Sequence, residues 1–355
     1  MKFRYIFSWG LSVFLWQTTP LHAQTAANPA DNPELKVSSV PLDLSVPVSP
    51  AFTVLGVTPE NVIRPASPRA FAASLLNAVD QNGNLQNGLA LDAAPFLFGT
   101  NLSDYRKNDL SRFLANLQIS VATTKGQAAQ DQASRISTGL HMVLLNRGDP
   151  RLDGSLLDKL RAAYAKQAPT PVTDPEHFDQ AIAEEVRGIF DSFRKEAERK
   201  PIWILAGAPS WISSTGNAEN LKWNGFGVWS SFGFGLDKAA KHQLIFHARY
   251  RGEERIGDLT AADGYRIQNS LLLGARFRTG SDNFKYSFEA GYSGTTPKGN
   301  KMDHWTQFAL ILEPRIFEDF WLHLAFTGQG GRREGNDIGF RTALKWSFDG
   351  KQIGK

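Results

Sequence analysis

One property of this chain narrows its folding options more than any other: apolar and polar residues alternate, one for one, over stretches of ten residues and more. In 283–294, NFKYSFEAGYSG, one set is Phe284, Tyr286, Phe288, Ala290 and Tyr292, and the other is Lys285, Ser287, Glu289, Gly291 and Ser293. Successive side chains of a strand point to opposite faces, so the segment is extended, with one apolar and one polar side. The apolar side of such a strand can meet a protein core or lipid.

The rhythm recurs in eleven segments: 85–99, 112–123, 134–145, 201–213, 221–236, 242–251, 266–278, 283–294, 304–315, 320–329 and 337–348. In 337–348, Ile338, Phe340, Leu344, Trp346 and Phe348 oppose Gly339, Arg341, Ala343, Lys345 and Ser347. Most segments exceed the usual 5–6 residues of a globular strand and suit a tilted membrane crossing. Aromatics gather toward their ends, as at Trp223, Trp305, Phe320, Trp321, Trp346 and Phe348. The connections alternate between long ones (GRREGN, TTPKGNKM, EERIGDLTAADGY) and short ones (IFED, TGSD, DKAAK). These features favour lipid over a soluble sandwich, whose polar face would meet water.

The N-terminus supports the same choice. Lys2 and Arg4 precede the 12-residue apolar run YIFSWGLSVFLW, and a polar stretch then ends at Ala23. That is the layout of a secretory leader, and the run is shorter than the roughly 20 residues of a spanning helix. Later segments also fall short of a spanning helix, so membrane integration would be by strands. The chain has no cysteine, which removes disulfides, thiolate ligands, a Cys nucleophile and a lipid anchor after Ala23. Its formal charge of +4 is dispersed, without the basic block expected of a nucleic-acid binder.

Residues 24–66 are rich in Ala, Pro, Ser and Asn and read as an irregular arm. A short helix follows, with Ser67 as cap, Pro68 in the first turn, and Phe71, Leu75 and Leu76 on one side. The period changes to helical again over 152–168 and 174–200. There Phe178, Ile182, Val186, Ile189, Phe190 and Phe193 make one apolar stripe, suited to packing on the rest of the chain or to binding a partner.

Taken together, the alternating strands, the loop asymmetry and the aromatic last strand FRTALKWSF resemble the bacterial outer-membrane β-barrel proteins, over about residues 85–348. The resemblance is to an architecture and carries no catalytic residues. It implies an all-β transmembrane fold, an antiparallel up-and-down barrel with an even number of strands, hence about 12, the missing one assigned to AFTVLGV at 51–57. The implied organisation is a signal peptide at 1–23 and an arm with a short helix at 24–84, serving as plug or first strand. The barrel follows at 85–348 with a periplasmic helical insertion at 150–200, and the tail is 349–355. It further implies residence in the outer membrane of a Gram-negative bacterium, contact with outer-membrane lipid, and recognition of the C-terminal strand by the barrel-assembly machinery. In this chain Phe348 is followed by DGKQIGK, so that signal would be internal.

The polar sides would line the lumen with Arg249, Arg251, Arg276, Arg278, Lys285, Glu289, Glu313, Arg315, His323, Arg341 and Lys345. Eight of these eleven are Arg or Lys, and a basic wall favours anions. The same residues could instead pair with one another and stiffen a closed shell. No H-E-x-x-H, G-x-S-x-G or phosphate-binding glycine loop is present, and the Asp303–His304 neighbours are too little for a catalytic site. No enzyme activity, metal or cofactor is therefore expected. The function expected is a channel or transporter for small solutes, anions among them. The alternative is a non-conducting scaffold whose helical insertion binds a periplasmic protein.

Overall fold

The computed structural model describes residues 45–58, 62–65, 67–76, 78–126, 133–167, 175–237, 242–257, 265–281, 283–317, 320–331 and 337–346. Of the two units into which the chain divides, Met1–Ser38 lies outside these residues, as do the leader expected at 1–23 and the tail at 349–355; Ser39–Lys355 holds the fold.

Eleven strands form one antiparallel sheet in which each pairs with its neighbours in sequence. They are β1 (Ala90–Ala93), β2 (Gln118–Lys125), β3 (Ser134–Asn146), β4 (Ile202–Ser213), β5 (Lys222–Gly235), β6 (His242–Gly257), β7 (Tyr265–Gly280), β8 (Phe284–Pro297), β9 (Asp303–Phe317), β10 (Phe320–Gly331) and β11 (Asp337–Trp346). Six helices are described with them: α1 (Pro50–Leu55), α2 (Pro68–Leu76), α3 (Leu102–Lys107), α4 (Asp109–Ala115), α5 (Gly154–Gln167) and α6 (Pro175–Ala197). Among the described residues no helix is long and apolar enough to cross a membrane.

Burial reverses what a half-solvated soluble sheet shows, in which the apolar face packs on the core and the polar face meets water. In β8, Ser287, Glu289 and Ser293 are buried, Glu289 completely, while Phe284, Tyr286 and Phe288 are exposed, Phe288 by 50%. β3 buries Ser137 and His141 and exposes Leu140 and Leu144; β10 buries Thr327 and Gln329 and exposes Phe326. The polar side is the inside of this sheet.

Among the described residues β1 and β11 are not paired with each other, and the sheet is not closed. The free side of β1 is met by Ile63, whose N–H donates to Ala90 O at 2.8 Å and whose carbonyl accepts from Asp92 N at 3.0 Å, a parallel bridge. This covers backbone groups that an edge strand would otherwise leave unpaired.

Antiparallel order puts alternate connections at the same end. α3 and α4, between β1 and β2, and α5 and α6, between β3 and β4, therefore share an end with the short connections at 236–241, 281–283 and 318–319. The longer connections at 126–133, 214–221, 258–264 and 332–336 lie at the other end.

Three strand assignments are corrected. AFTVLGV at 51–57 is not a twelfth strand: 50–55 is α1, with Pro50 in its first turn and Gly56 at φ 68 ending it. The segment 85–99 holds only the four residues of β1 and then a single 3-10 turn. The first part of 112–123 belongs to α4, because Asn108 accepts from Leu110 N and Ser111 N and starts a helix there. Asn101 starts α3 in the same way by accepting from Asp104 N. The alternation of Phe113, Ala115 and Leu117 lies in this helix and its end, and strand pairing begins only at Gln118.

Candidate functional site

The polar face is occupied where α1 crosses β2 to β5, and α1 is held by strand residues at both ends. A helix leaves its first N–H and last C=O groups without intrahelical partners. Here the sheet supplies them. Ala51 N donates to Ser120 Oγ at 3.1 Å. The Ser49 hydroxyl, which in its position would ordinarily cap the helix, donates instead to Asp92 Oδ2 at 2.9 Å. At the other end Arg251 Nη2 donates to Val54 O at 2.9 Å and Thr53 O at 3.2 Å, a cation at a helix C-terminus. Arg251 also pairs with Glu254.

Packing reinforces these bonds. Pro50, Ala51 and Phe52 are buried, with Ala90 and Ala122 under Ala51 and Phe52, and Val54 meets Ala206, Ala208 and Trp229. Close approach requires glycine at one point: a Cβ on Gly139 would stand 2.6 Å from Ala51 N and 2.7 Å from Pro50 Cγ. The Trp229 ring lies across Gly227, where a Cβ would meet it at 2.3 Å.

A cavity of about 160 Å³ adjoins the C-terminal end of α1, lined by Leu55, Gly56, Arg135, Ser210, Arg251 and Arg255 among others. A second, shallower depression of about 730 Å³ lies on the apolar face, where Phe246, Leu273 and Phe308 surround Ala248, Ala275 and Ala290. Its described wall is aromatic and aliphatic apart from Ser230, His247, Thr306 and Gln307, and no Arg, Lys, Asp or Glu is among the residues that line it.

The residues expected on the polar side divide into groups. Arg276 and Glu289 are direct cross-strand partners, with Nε and Nη2 at 2.6 and 2.5 Å from Oε1. His323 Nδ1 is 3.2 Å from Glu313 Oε1. Lys285, opposite Glu313 in register, places Nζ 4.7 Å from the Trp321 ring centroid, and the Arg315 guanidinium is 6.0 Å from the same ring. Trp321 thus stacks with cations and is not part of an outward aromatic belt. Arg249 is half-buried opposite Trp229, and Arg278 lies opposite Ser287. Arg341 and Lys345 are registered against Ala325 and Trp321; their side chains lie outside the described residues. Only Arg251 among the eleven touches α1 through a hydrogen bond described for it.

On α6, Ile182, Val186 and Ile189 are half-buried, Phe193 is buried and Phe190 is 37% exposed, while the Phe178 side chain lies outside the described residues. Lys166 of α5 reaches Glu185 at 2.7 Å, so the two helices pair with each other. Among the described residues no group of His, Cys, Asp and Glu is arranged to hold a metal ion.

The residues at α1 and its adjoining cavity that were not singled out from sequence are Ser49, Asp92, Ser120, Gly139, Arg135 and Arg255. Only Ser49–Pro50, a cap residue followed by Pro, carried a local signal that a helix starts there.

A second polar cluster fastens the insertions to each other. The Tyr105 hydroxyl donates to Asp149 Oδ2 and accepts from Asn116 Nδ2 at 2.8 Å, and Arg151 Nη2 donates to Asn116 Oδ1 at 2.7 Å and Asp149 Oδ2 at 2.8 Å. Burial, then the Asp149 hydrogen bond, pushes the Tyr105 phenol from 10.0 up to about 12. Burial opposes ionisation of Asp149 as well, but the donors of Arg151 and Tyr105 outweigh it and lower its pKa. A raised phenol stabilises the fold fully below pH 10 and loses that contribution as pH climbs toward about 12; the lowered carboxyl loses its share only in acid, below the ordinary carboxylate range. Ultraviolet titration of the folded protein is expected to show one of its 7 tyrosines ionising near pH 12, and Tyr105→Phe to remove that step. Titration of every phenol together near pH 10 would contradict the buried network.

No protein-family model matches this chain, and no curated protein is significantly similar to it.

Proposed function

We propose that the chain is an outer-membrane β-barrel of a Gram-negative bacterium, inserted after removal of the leader near Ala23, and that it acts as a gated pore for small solutes with anions favoured. In this reading the apolar sides of the strands face outer-membrane lipid, β11 presents the strand taken up by the barrel-assembly machinery, and α1 closes the lumen. One observation carries it: the sheet exposes Phe288, Phe308, Leu310 and Phe326 and buries Glu289, His247, Ser287 and Gln329. Water would select the opposite arrangement, because burying a carboxylate while wetting phenyl rings is unfavourable on both counts. The basic majority on the polar side favours anions.

The lipid assignment is tested on Phe288→Arg and Phe308→Arg. A charge on the lipid side near the midplane costs about 2–4 kcal/mol of barrel stability. Each variant is expected to fold into lipid vesicles in markedly lower yield than the parent, with Phe308→Leu unaffected. Equal yields for all, or a parent that is folded and soluble without detergent, would refute a membrane barrel.

The scaffold reading is favoured by a different observation. Phe190 is exposed on an α6 stripe that is otherwise partly covered, and the acidic residues of the polar face are paired. A folded protein that stays silent in a planar bilayer even after α1 is displaced would select it over the pore.

A further inference from the structure

We propose that residues 62–64 are the closing strand of the barrel, with one edge on β1 and the other taking the free edge of β11. The inference rests on the barrel reading and makes the wall twelve strands round, the even count usual for such barrels.

The route of the chain is the first support. α1 lies on the polar face, where Ala51 and Phe52 pack with Ala90 and Ala122. α2 lies on the opposite face, where Phe71 packs with Leu91 and Val121, the next residues along β1 and β2. Between the two helices the chain therefore passes from the inside of the wall to the outside. It does so at the edge of β1, where Ile63 donates to Ala90 O at 2.8 Å and accepts from Asp92 N at 3.0 Å. With those groups taken, β11 cannot pair directly with β1 at these residues.

Residues 62–64 also have the form of a wall strand. Val62 packs on the α1 cluster, Ile63 is 45% exposed, and Arg64 is near enough to Asp92 to act on its charge. Ile63 uses both its N–H and its C=O on β1. Successive residues of a strand direct these groups to opposite edges, so those of Val62 and Arg64 point away from β1. Pro65 has no N–H and ends the run.

The need for a partner lies at the other end of the sheet. β11 is the last strand, and its Ile338 and Phe340 are 84% and 59% exposed. Lipid cannot satisfy the backbone groups of an open edge. Curvature brings the two edges together. Leu272, Glu289, Ile311 and Ala325 share the polar side on β7 to β10 and are 5% exposed or less, beyond the strands that α1 crosses. A face buried without a helix over it belongs to a sheet curled on itself.

Strand direction agrees with this closure. Eleven strands joined by antiparallel pairs leave the first and last running the same way, and Ile63 runs parallel to β1. Both neighbours of 62–64 are then parallel to it. Parallel pairing is slightly weaker per residue and here only three residues long, so this seam is the weakest line of the wall. It also holds α1 on a leash: from Leu55 to Val62 the chain spans at most about 25 Å, so the helix can leave its seat and stay with the wall.

The test uses the full chain refolded in lipid vesicles, with cysteine pairs introduced into a sequence that has none. Ile63→Cys is combined with Ile338→Cys, Phe340→Cys or Thr342→Cys, on the apolar side of β11. Val62→Cys is combined with Asp337→Cys, Gly339→Cys or Arg341→Cys, on its polar side. Dibromobimane, a short thiol–thiol linker, bridges adjacent strands, which lie about 4.8 Å apart. One member of each set is expected to cross-link as fully as the directly paired Phe326→Cys with Phe340→Cys. The yield should exceed that of Ile63→Cys with Arg341→Cys, on opposite sides, at least about tenfold. Because the strands are parallel, the partner of residue 62 must come one position before the partner of residue 63. The two sets are independent, so a pair that fails to fold leaves the other to decide. Background yield in both sets while the control pair reacts would overturn the proposal, as would partners in the reverse order. Cross-linked dimers would give the β11 edge to a second copy and overturn it too. A control pair that fails in a chain soluble without detergent would sink the barrel reading and this seam with it.

Discussion

On the proposed pore reading, replacing Gly139 with valine is expected to give steady conduction where the parent is closed for most of the time. The new side chain would press on Ala51 N, Ser120 Oγ and Pro50 Cγ, all within 2.7 Å of its Cβ, and two of these atoms belong to α1. A serine side chain can rotate away, but the first turn of a helix fixed at both ends cannot yield without moving as a body. Overpacking of this kind costs about 1–3 kcal/mol, which shifts the ratio of seated to displaced helix by roughly five- to more than a hundredfold. Val is at home in a strand, so β3 itself should persist. The measurement is single-channel recording from the refolded protein in planar bilayers, beside Arg251→Gln and a variant lacking residues 45–58. All three are expected to raise the fraction of time open, with current favouring anions. Silence in all three, with strand content retained, would mean that α1 blocks nothing and that the pore reading is wrong.

The second large effect is on stability. Glu289 is fully buried, accepts a hydrogen bond from Arg276 Nε and forms an ion pair with its Nη2 across β7 and β8. Removing one partner of a buried ion pair strands the other charge, a loss of about 3–5 kcal/mol. The Arg276 side chain is 32% exposed and can recover some hydration, so Glu289→Ala should fall at the low end of that range. Even this is a large part of the roughly 5–15 kcal/mol that holds a typical domain folded. Urea unfolding in micelles should show a clear fall in midpoint for Glu289→Ala and a smaller one for Glu289→Gln. The double change Arg276→Met with Glu289→Met should recover part of the loss, because the charge that Glu289→Ala strands on Arg276 is removed as well. A midpoint unchanged in Glu289→Ala would show that the pair contributes nothing to the fold.

The eleven alternating segments each contain a strand, because alternation is a relation between residues two apart and survives whatever the sheet packs against. The segments that misled are those in which a side chain–backbone bond overrides the pattern. Phe113, Ala115 and Leu117 alternate, yet Asn108 caps a helix that includes the first two of them, and one cap bond of this kind is worth about 1 kcal/mol. The Asn101 and Asn108 caps were visible in TNLSDYRKNDLSRF and were masked by the apolar rhythm around them. Thr53, Val54 and Val57 favour a strand, so AFTVLGV reads as one. Its first part is a helix because the sheet satisfies both of its ends, through Ser120 from 69 positions away and Arg251 from 197.

The same division holds for the site. Arg249, Arg276, Lys285 and Glu289 share the polar side because strand parity puts them there, whatever the rest of the chain does. Parity cannot tell which of them pair with each other and which reach something else. That depends on register and on what lies across the polar face. Arg276 meets Glu289 because β7 and β8 align them, and Arg251 reaches α1 because the C-terminal end of that helix lies against it on the polar face.

By itself, then, the sequence determined that the chain forms a long antiparallel sheet with one apolar and one polar face, since that information lies in the spacing of neighbouring residues. Strand length, loop asymmetry and the aromatic strand ends already pointed to the polar face as the inner one; tertiary structure alone decided that residues 50–55 become a helix seated on it, and that three arginines from two strands enclose a cavity at its end. Each of those outcomes is a contact between residues far apart in the chain, and local spacing carries no record of such contacts.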